Sequence, residues 1–210
     1  DLRNPLIIND ITEIFTREDV SFEIFKKLVK SGSRVRCIIT KNTKDKPRSF
    51  FDNIDKWAKE QGASGLAYFT IEKDKEIFAK GPVGKFFSKD SLEEILKKTG
   101  AEVGDSIFLA CNKRKELEKI TSLARDKIAS DLNLIDENVF AFCWVVDYPM
   151  FEKDEQTNKI GFSHNPFSMP QGDLNNLDFK KPLEMLAYQY DIVCNGIELS
   201  SGAIRNHIPE

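Results

Sequence analysis

The sequence predicts an α+β protein in which strand-forming segments flank a separate α/β unit. Between about residues 16 and 130, lysines and glutamates are interspersed with short apolar runs, and strand-like stretches alternate with helix-like ones. Residues 139–146 and 190–205 are rich in strand formers and turn residues instead. We therefore expect the chain to divide at about residues 15 and 130.

Composition limits the classes of function. With 210 residues, 40% of them hydrophobic, and 16 phenylalanines, the chain has enough apolar side chains for two modest cores. A formal net charge of −3 lacks the basic footprint that phosphate recognition usually leaves. Four cysteines without a CxxC pair, and two histidines, argue against a disulfide framework or a zinc site and favour reduced thiols in the cytoplasm. No apolar run approaches the roughly 20 residues that a membrane span needs.

Within the first 15 residues, the opening Arg-Asn-Pro segment predicts extended backbone, and Asn9 or Asp10 is suited to cap a short helix that follows. Periodicity then predicts strand, helix, strand, helix, strand and helix, over residues 33–40, 50–61, 66–71, 90–98, 105–110 and 116–132. Helices packed on a sheet fit this order. The glycines near residues 62–65 and 81–84 lack the ending of a phosphate-binding loop, so we interpret them as ordinary turns.

Residues 139–171 return to strand chemistry. Val139 to Val146 is apolar throughout apart from Cys143, which predicts a buried strand, and Pro149 ends it because proline cannot donate to a ladder. Residues 152–159 are charged and predict a solvated loop or hairpin tip. His164 is the only group within residues 161–168 that titrates near neutrality. A histidine beside a proline is more often a hydrogen-bonded loop residue than a ligand-binding one.

A short helix is predicted to start at Pro182, and it leads into the stretch from Tyr190 to Arg205. That stretch sets three charged residues among strand formers: Asp191, Glu198 and Arg205. Asn195-Gly196 and Ser200-Ser201-Gly202 are turn or bulge chemistry, and either would break strict strand alternation. Two alternatives stay open. The charges form ion pairs or lie exposed at a strand end, or paired carboxylates hold Mg²⁺ against phosphate beside an arginine for an anionic substrate.

The run Tyr190 to Arg205 also resembles the late catalytic strand of bacterial-type aspartyl-tRNA synthetases, which are class II enzymes. The opening Asp1-Leu2-Arg3-Asn4-Pro5 and the runs Cys143 to Glu152 and His164 to Ser168 resemble the same family, in the same order. The resemblance covers nearly all of the chain. Because the first residue is aspartate rather than methionine, we expect a piece of a longer chain or a processed product.

Three runs between these segments resemble the GAD domain, an insertion in these synthetases that also occurs in tRNA-dependent amidotransferases. They are Gly65 to Tyr68, Pro82 to Phe86 and Gly104 to Phe108. The resemblance therefore implies a class II antiparallel-sheet catalytic domain in residues 1–15 and 131–210, with an inserted α/β GAD domain in residues 16–130.

The implied function is that of an aspartate–tRNA ligase, which activates L-aspartate with ATP to aspartyl-adenylate and transfers it to tRNA. By resemblance, His164 and Arg205 would bind L-aspartate, Glu198 would face ATP and Mg²⁺, and Asp191 would be the second metal carboxylate. No residue is assigned as a nucleophile, because adenylate formation needs none. A cytoplasmic homodimer is implied for the full-length enzyme.

The sequence departs from the family pattern in three places. Asn165 replaces a second histidine, Leu199-Ser200-Ser201-Gly202 keeps only the last of three glycines, and Ala110-Cys111-Asn112 lacks an acid. The Phe-Arg-x-Glu and Gly-Leu-Asp-Arg elements and an anticodon-binding barrel are missing, so we expect an internal segment that is inactive alone. Two alternatives are a tRNA- or partner-contacting module, as in amidotransferases, and a structural α/β protein without a ligand.

Overall fold

The computed structural model describes residues 1–154, 157–173 and 177–207. The chain divides into two compact units, Asn4–Ile135 and a second unit made of Asp1–Arg3 with Asp136–Glu210. These bounds differ from the predicted division at residues 15 and 130. Residues 4–15 pack with the first unit because strand Ile8–Asp10 pairs with its sheet.

The first unit contains five strands and four α-helices. The strands are β1 (Ile8–Asp10), β2 (Arg34–Thr40), β3 (Ala67–Lys73), β4 (Ile77–Lys80) and β5 (Ser106–Asn112). The helices are α1 (Glu23–Lys30), α2 (Arg48–Glu60), α3 (Lys89–Thr99) and α4 (Arg114–Asp131), with 3₁₀ turns at Thr12–Thr16 and Gly84–Phe86. All six predicted elements are present, whereas α1, β1 and β4 were not predicted.

The five strands form one sheet in the order β1-β2-β5-β3-β4, and every pair is antiparallel. Alternation turns neighbouring residues to opposite faces, so Ile38 and Phe108 join the cluster under α2 and α4. Cys37 and Ile39 join the cluster with Leu92 of α3. Both faces of the sheet are therefore covered by helices, as the predicted alternation of strands and helices requires.

Local chemistry sets the ends of α3. The Ser88 hydroxyl accepts a hydrogen bond from the backbone N–H of Ser91 at 3.0 Å, and Gly100 ends the helix in the left-handed region with φ of 66°. Before this helix, a β-carbon added to Gly84 would lie 2.4 Å from the backbone oxygen of Ala79. Only glycine fits there without a backbone shift. None of the helices in the described residues is long and apolar enough to cross a membrane.

The described residues of the second unit form seven strands. They are β6 (Phe142–Val145), β7 (Tyr148–Pro149), β8 (Phe151–Lys153), β9 (Ile160–Phe162), β10 (Leu186–Ala187), β11 (Gln189–Cys194) and β12 (Ile197–Ala203). A three-stranded sheet has the order β12-β11-β6, and two-stranded pairs join β10 to β7 and β8 to β9, all antiparallel. The prediction of an α+β protein is confirmed.

Three local predictions for this unit meet different outcomes. The charged run at 152–159 is a hairpin between β8 and β9, although residues 155 and 156 lie outside the described residues. The helix expected at Pro182 is only the 3₁₀ turn Pro182–Glu184. The buried strand expected at residues 139–146 is wrong, because β6 is short and Trp144 is 60% exposed. That 3₁₀ turn is the only helical element of the unit within the described residues, so the described part of this unit supplies no helical layer over β6.

Candidate functional site

A tight turn joins β11 to β12. Asn195 and Gly196 have φ of 51° and 80°, the pair of positive values that a two-residue type I′ hairpin turn requires. The Asn195 side chain also accepts from the backbone N–H of Ala141 at 2.9 Å and donates to the Val139 oxygen at 3.0 Å. The turn therefore holds the segment that enters β6, and the Asn-Gly prediction is confirmed.

The register of the β11–β12 hairpin decides which way Glu198 faces. Asp191 lies opposite Ser201 and Val193 lies opposite Glu198, which leaves Leu199 without a partner. Opposite residues share a face, as do residues two apart, so Asp191 and Glu198 are on the same face. The two-residue turn sets this register, because it places Cys194 opposite Ile197 and therefore Val193 opposite Glu198. The unpaired Leu199 acts beyond Glu198, where it sets Ser201 rather than Ser200 opposite Asp191.

The two carboxylates line a polar cavity of about 330 Å³ in the second unit. Its lining residues come from β7, from the loop after β9, and from β11 and β12: Tyr148, His164, Asn165, Gln189, Asp191, Glu198, Ser201 and Gly202. Three of the four predicted site residues, His164, Asp191 and Glu198, therefore share this cavity. They come from positions up to 34 residues apart by number, from 164 to 198.

Tyr148 links two of the predicted residues, although the sequence analysis did not single it out. Its hydroxyl donates a hydrogen bond to Oδ2 of Asp191, and its ring meets that of His164 edge to face, with centres 5.7 Å apart. The hydrogen bond to Asp191 is the main cause that raises the pKa of Tyr148 to about 12, followed by burial and the negative charges of Asp191 and Glu198. No spacing rule links residues 43 positions apart, so local patterns carry no signal for this contact.

Gln189 anchors the loop that carries His164. The Gln189 side chain is buried, and its amide donates to the Ser168 hydroxyl at 2.9 Å and to the Asn165 oxygen at 3.4 Å. The backbone N–H of Ser168 also donates to the Asn165 oxygen at 3.1 Å. The loop is therefore tied to β11 from both sides of its turn. Gln189 was also missed, since a single glutamine before a strand has no distinctive pattern.

Arg205 does not line this cavity. It is exposed, and its guanidinium carbon lies 4.0 Å from the centre of the Phe167 ring. A β-bridge pairs Arg205 with Ser168, and the backbone N–H of Asn206 donates to the Phe167 oxygen at 2.8 Å. The structure therefore brings His164, Asp191 and Glu198 together and places Arg205 beside the loop that carries His164.

The donor set of the cavity can be compared with the needs of Mg²⁺. This ion prefers oxygen ligands and is usually held by one or two carboxylates together with substrate phosphates. Asp191 and Glu198 supply two carboxylates on one face. Within the described residues, no group of three or more His, Cys, Asp or Glu side chains could hold a metal. The cavity thus fits Mg²⁺ shared with a nucleotide and does not fit a metal held by protein alone.

A second cavity, of about 420 Å³, lies in the first unit. Apolar side chains such as Leu6, Ile39 and Leu132 line much of it, with Lys41 and Lys46 among its polar residues. No carboxylate lines it, so it offers no ligand set for Mg²⁺. This second cavity is therefore not a candidate for a Mg²⁺ site.

Comparisons with known proteins bear on the whole chain. Residues 25–121 match the GAD domain. All 210 residues align with ligases named aspartate--tRNA(Asp/Asn) ligase, at 81% identity for Pelagibacter ubique (strain HTCC1062), 50% for Gluconobacter oxydans (strain 621H) and 51% for Acidiphilium cryptum (strain JF-5). The alignments cover 100% of this chain and 35%, 34% and 34% of these relatives. The chain thus spans about a third of their length.

Proposed function

Because all 210 residues align with aspartate--tRNA(Asp/Asn) ligases and residues 25–121 match the GAD domain, we propose that this chain is part of a bacterial-type aspartyl-tRNA synthetase and supplies part of a site that activates L-aspartate with ATP. One observation carries the proposal: Asp191 and Glu198 face one polar cavity beside His164. The match to ligases extends across residues on both sides of the GAD domain, which favours a ligase over a separate GAD-type interaction module. We assign residues 136–207 to a class II catalytic domain on the same grounds.

The proposed reaction is a displacement at phosphorus. The α-carboxylate of aspartate forms a bond to the α-phosphorus of ATP while the bond to pyrophosphate breaks, so no protein group becomes covalently attached. Both reactants are anionic, so the carboxylates of Asp191 and Glu198 would repel them unless a cation lay between these carboxylates and the reactants. Bound Mg²⁺ would supply that charge. The contribution of the chain is then to hold the cation and orient the reactants.

Two residues are proposed to select aspartate. His164 lines the cavity next to the carboxylates, and a protonated imidazole would favour an acidic side chain over an amide. Arg205 would bind the aspartate side chain through two parallel hydrogen bonds, a geometry that lysine cannot reproduce. Among the described residues Arg205 forms no ion pair, so its charge is available to a ligand.

The remaining parts of the function concern the whole protein. We propose tRNA as the second substrate, since the matching ligases are named for tRNA(Asp/Asn). The net charge of −3 gives this chain no general affinity for nucleic acid, so the main tRNA contacts would lie in other segments. The homodimer and the cytoplasmic location stay predictions from the family resemblance.

The test uses a ligase that contains this chain. The matching third of the Pelagibacter ubique ligase is exchanged for these 210 residues, and aspartate-dependent exchange of pyrophosphate into ATP is measured. Glu198→Gln keeps the size of the side chain and removes its charge, so use of Mg-ATP should fall by about 100-fold while the KM for aspartate changes far less. Glu184→Gln is the control, because Glu184 pairs with Lys181 on the surface, outside the cavity. An unchanged KM for ATP and unchanged kcat in Glu198→Gln would contradict the proposal.

A further inference from the structure

Within the described residues, one side chain holds the Asp191 carboxylate. Its Oδ2 accepts from the Tyr148 hydroxyl, and among the described residues no other side-chain donor reaches it. Carboxylates that bind metals are commonly oriented by a hydrogen bond to the oxygen that does not face the metal. The same phenol ring contacts His164 edge to face, so one residue touches both the proposed metal side and the proposed aspartate side of the cavity.

The backbone of Tyr148 is fixed before any ligand arrives. Tyr148 pairs with Ala187 and Pro149 with Leu186, in the short ladder between β7 and β10. The residue before it, Asp147, has φ of 60°, and its side chain accepts from the Gln171 amide at 3.0 Å. The proline after it has a fixed φ of its own. The phenol therefore projects into the cavity from a segment that the fold itself has set.

We propose that Tyr148 is a positioning residue that holds Oδ2 of Asp191, so that Oδ1 is presented to Mg²⁺, while its ring sets the plane of His164. This inference rests on the proposed function. In this role the Tyr148 hydroxyl contacts Asp191 and contacts neither ATP nor aspartate, so it affects the reaction only through the position of the Asp191 carboxylate. Loss of the hydroxyl should therefore weaken the use of metal more than the binding of the amino acid.

Tyr148→Phe separates the two parts of the side chain. It removes one oxygen atom and keeps the ring against His164, so the fold and the aspartate side should be retained. The loss of an outer hydrogen-bond partner typically weakens metal affinity by about 10-fold or more. In the exchanged ligase, we expect the Mg²⁺ concentration for half-maximal pyrophosphate exchange to rise by about 10-fold, with the KM for aspartate changed by less than about 3-fold.

A readout independent of activity uses Mn²⁺ as the probe. Its binding to the exchanged ligase, in the presence of an ATP analogue that cannot be cleaved, is followed by electron paramagnetic resonance. Tyr148→Phe should weaken Mn²⁺ binding by about 10-fold. Tyr190→Phe, the matched loss of a hydroxyl on a residue outside the cavity lining, should leave it unchanged, because the Tyr190 ring packs against Trp144 instead.

A double-mutant cycle assigns the effect to Asp191. If Tyr148 acts through that carboxylate, adding Tyr148→Phe to Asp191→Asn should cost little further Mn²⁺ affinity. The inference is overturned if Tyr148→Phe binds Mn²⁺ within about twofold of the parent, or if the two losses simply add. It also fails if Tyr148→Phe does not fold by circular dichroism, since the hydroxyl would then be structural. If Glu198→Gln still weakens Mn²⁺ binding, these outcomes overturn only the role of Tyr148, and the proposed function is retained. If neither Glu198→Gln nor Asp191→Asn weakens Mn²⁺ binding, the proposed function itself fails.

Discussion

The guanidinium group of Arg205 lies over the ring of Phe167, with its central carbon 4.0 Å from the ring centre. Backbone pairing between Ser168 and Arg205 sets this contact, so the arginine is oriented by the loop that follows His164. A cation over an aromatic face at an exposed site contributes about 0.5 to 1 kcal/mol. The two residues proposed to bind aspartate are thus connected through one loop.

Phe167→Leu should loosen Arg205 without removing it. Loss of the ring face removes a contact that contributes about 0.5 to 1 kcal/mol to the orientation of Arg205. The KM for aspartate in the exchanged ligase should therefore rise by roughly 2- to 5-fold, with little change in the KM for ATP. Phe162→Leu is the matched control, since Phe162 packs on Phe151 in the β8–β9 hairpin. Equal aspartate KM values in the two variants would argue against this role of Phe167.

Arg205→Ala should nearly abolish aspartate activation. Aspartate bound against the exposed guanidinium would desolvate the charge pair, and removal of one partner then costs about 3 to 5 kcal/mol, which corresponds to a fall of about two to four orders of magnitude in kcat/KM for aspartate. Arg205→Lys restores the charge but not the two-pronged geometry, so it should recover only a small part. Near-normal aspartate-dependent pyrophosphate exchange in Arg205→Ala would rule out the assigned role.

Asp105 should be a main stabiliser of the first unit. It is 2% exposed, and its carboxylate accepts from Lys41 Nζ at 2.9 Å and from the backbone N–H groups of Asn42 and Glu102 at 3.0 and 2.9 Å. Asp105→Ala leaves these donors unpaired, so the free energy of unfolding should fall by about 3 kcal/mol. Urea denaturation measures this, with Asp45→Ala as control, because Asp45 is exposed and lies in the loop that carries Asn42. A loss as small as that of the control would contradict the expectation.

Cys37 should make the stability of the first unit sensitive to alkaline pH. Burial raises the pKa of the Cys37 thiol from 9.0 to about 12, so the folded state holds this proton more tightly than the unfolded chain. The contribution to stability is fully present below pH 9.0 and is lost as pH rises towards about 12.

The measurement compares the parent chain with Cys37→Ala, which lacks the thiol. Between about pH 8 and about pH 10, the stability advantage of the parent over Cys37→Ala should shrink by about 1.4 kcal/mol in urea denaturation. Val35→Ala removes buried methyl groups on the same strand without a titratable group, so its difference from the parent should stay constant. An advantage over Cys37→Ala that does not change with pH would refute the assignment.

Sequence periodicity predicts secondary structure best where an element is long and one of its faces is buried. The helices at Arg48–Glu60, Lys89–Thr99 and Arg114–Asp131 bury one face each against the sheet, and that burial is the source of their apolar spacing. Strands β1 and β4 have only three and four residues, too few to show alternation. The apolar run at Phe142–Val145 wrongly predicts a buried strand, because three of its four residues are exposed in this chain.

Part of the candidate cavity could be predicted from the sequence, but its arrangement could not. Motif resemblance singled out His164, Asp191, Glu198 and Arg205, and three of these line one cavity. Their convergence depends on the strand register around the Asn195-Gly196 turn and on the loop that brings His164 to the same cavity. Tyr148 and Gln189 escaped notice because their partners lie far away along the chain.

By itself, the sequence determined the family likeness, most of the secondary structure and the charged residues to consider. These depend on local order, since propensity, spacing and motifs are all properties of neighbouring residues. Only the tertiary structure decided that Tyr148 holds Asp191, that Glu198 faces the same cavity, and that Arg205 lies on Phe167 outside it. The physical reason is that strand register and the packing of segments tens of residues apart decide which side chains meet, and neither is encoded in local spacing.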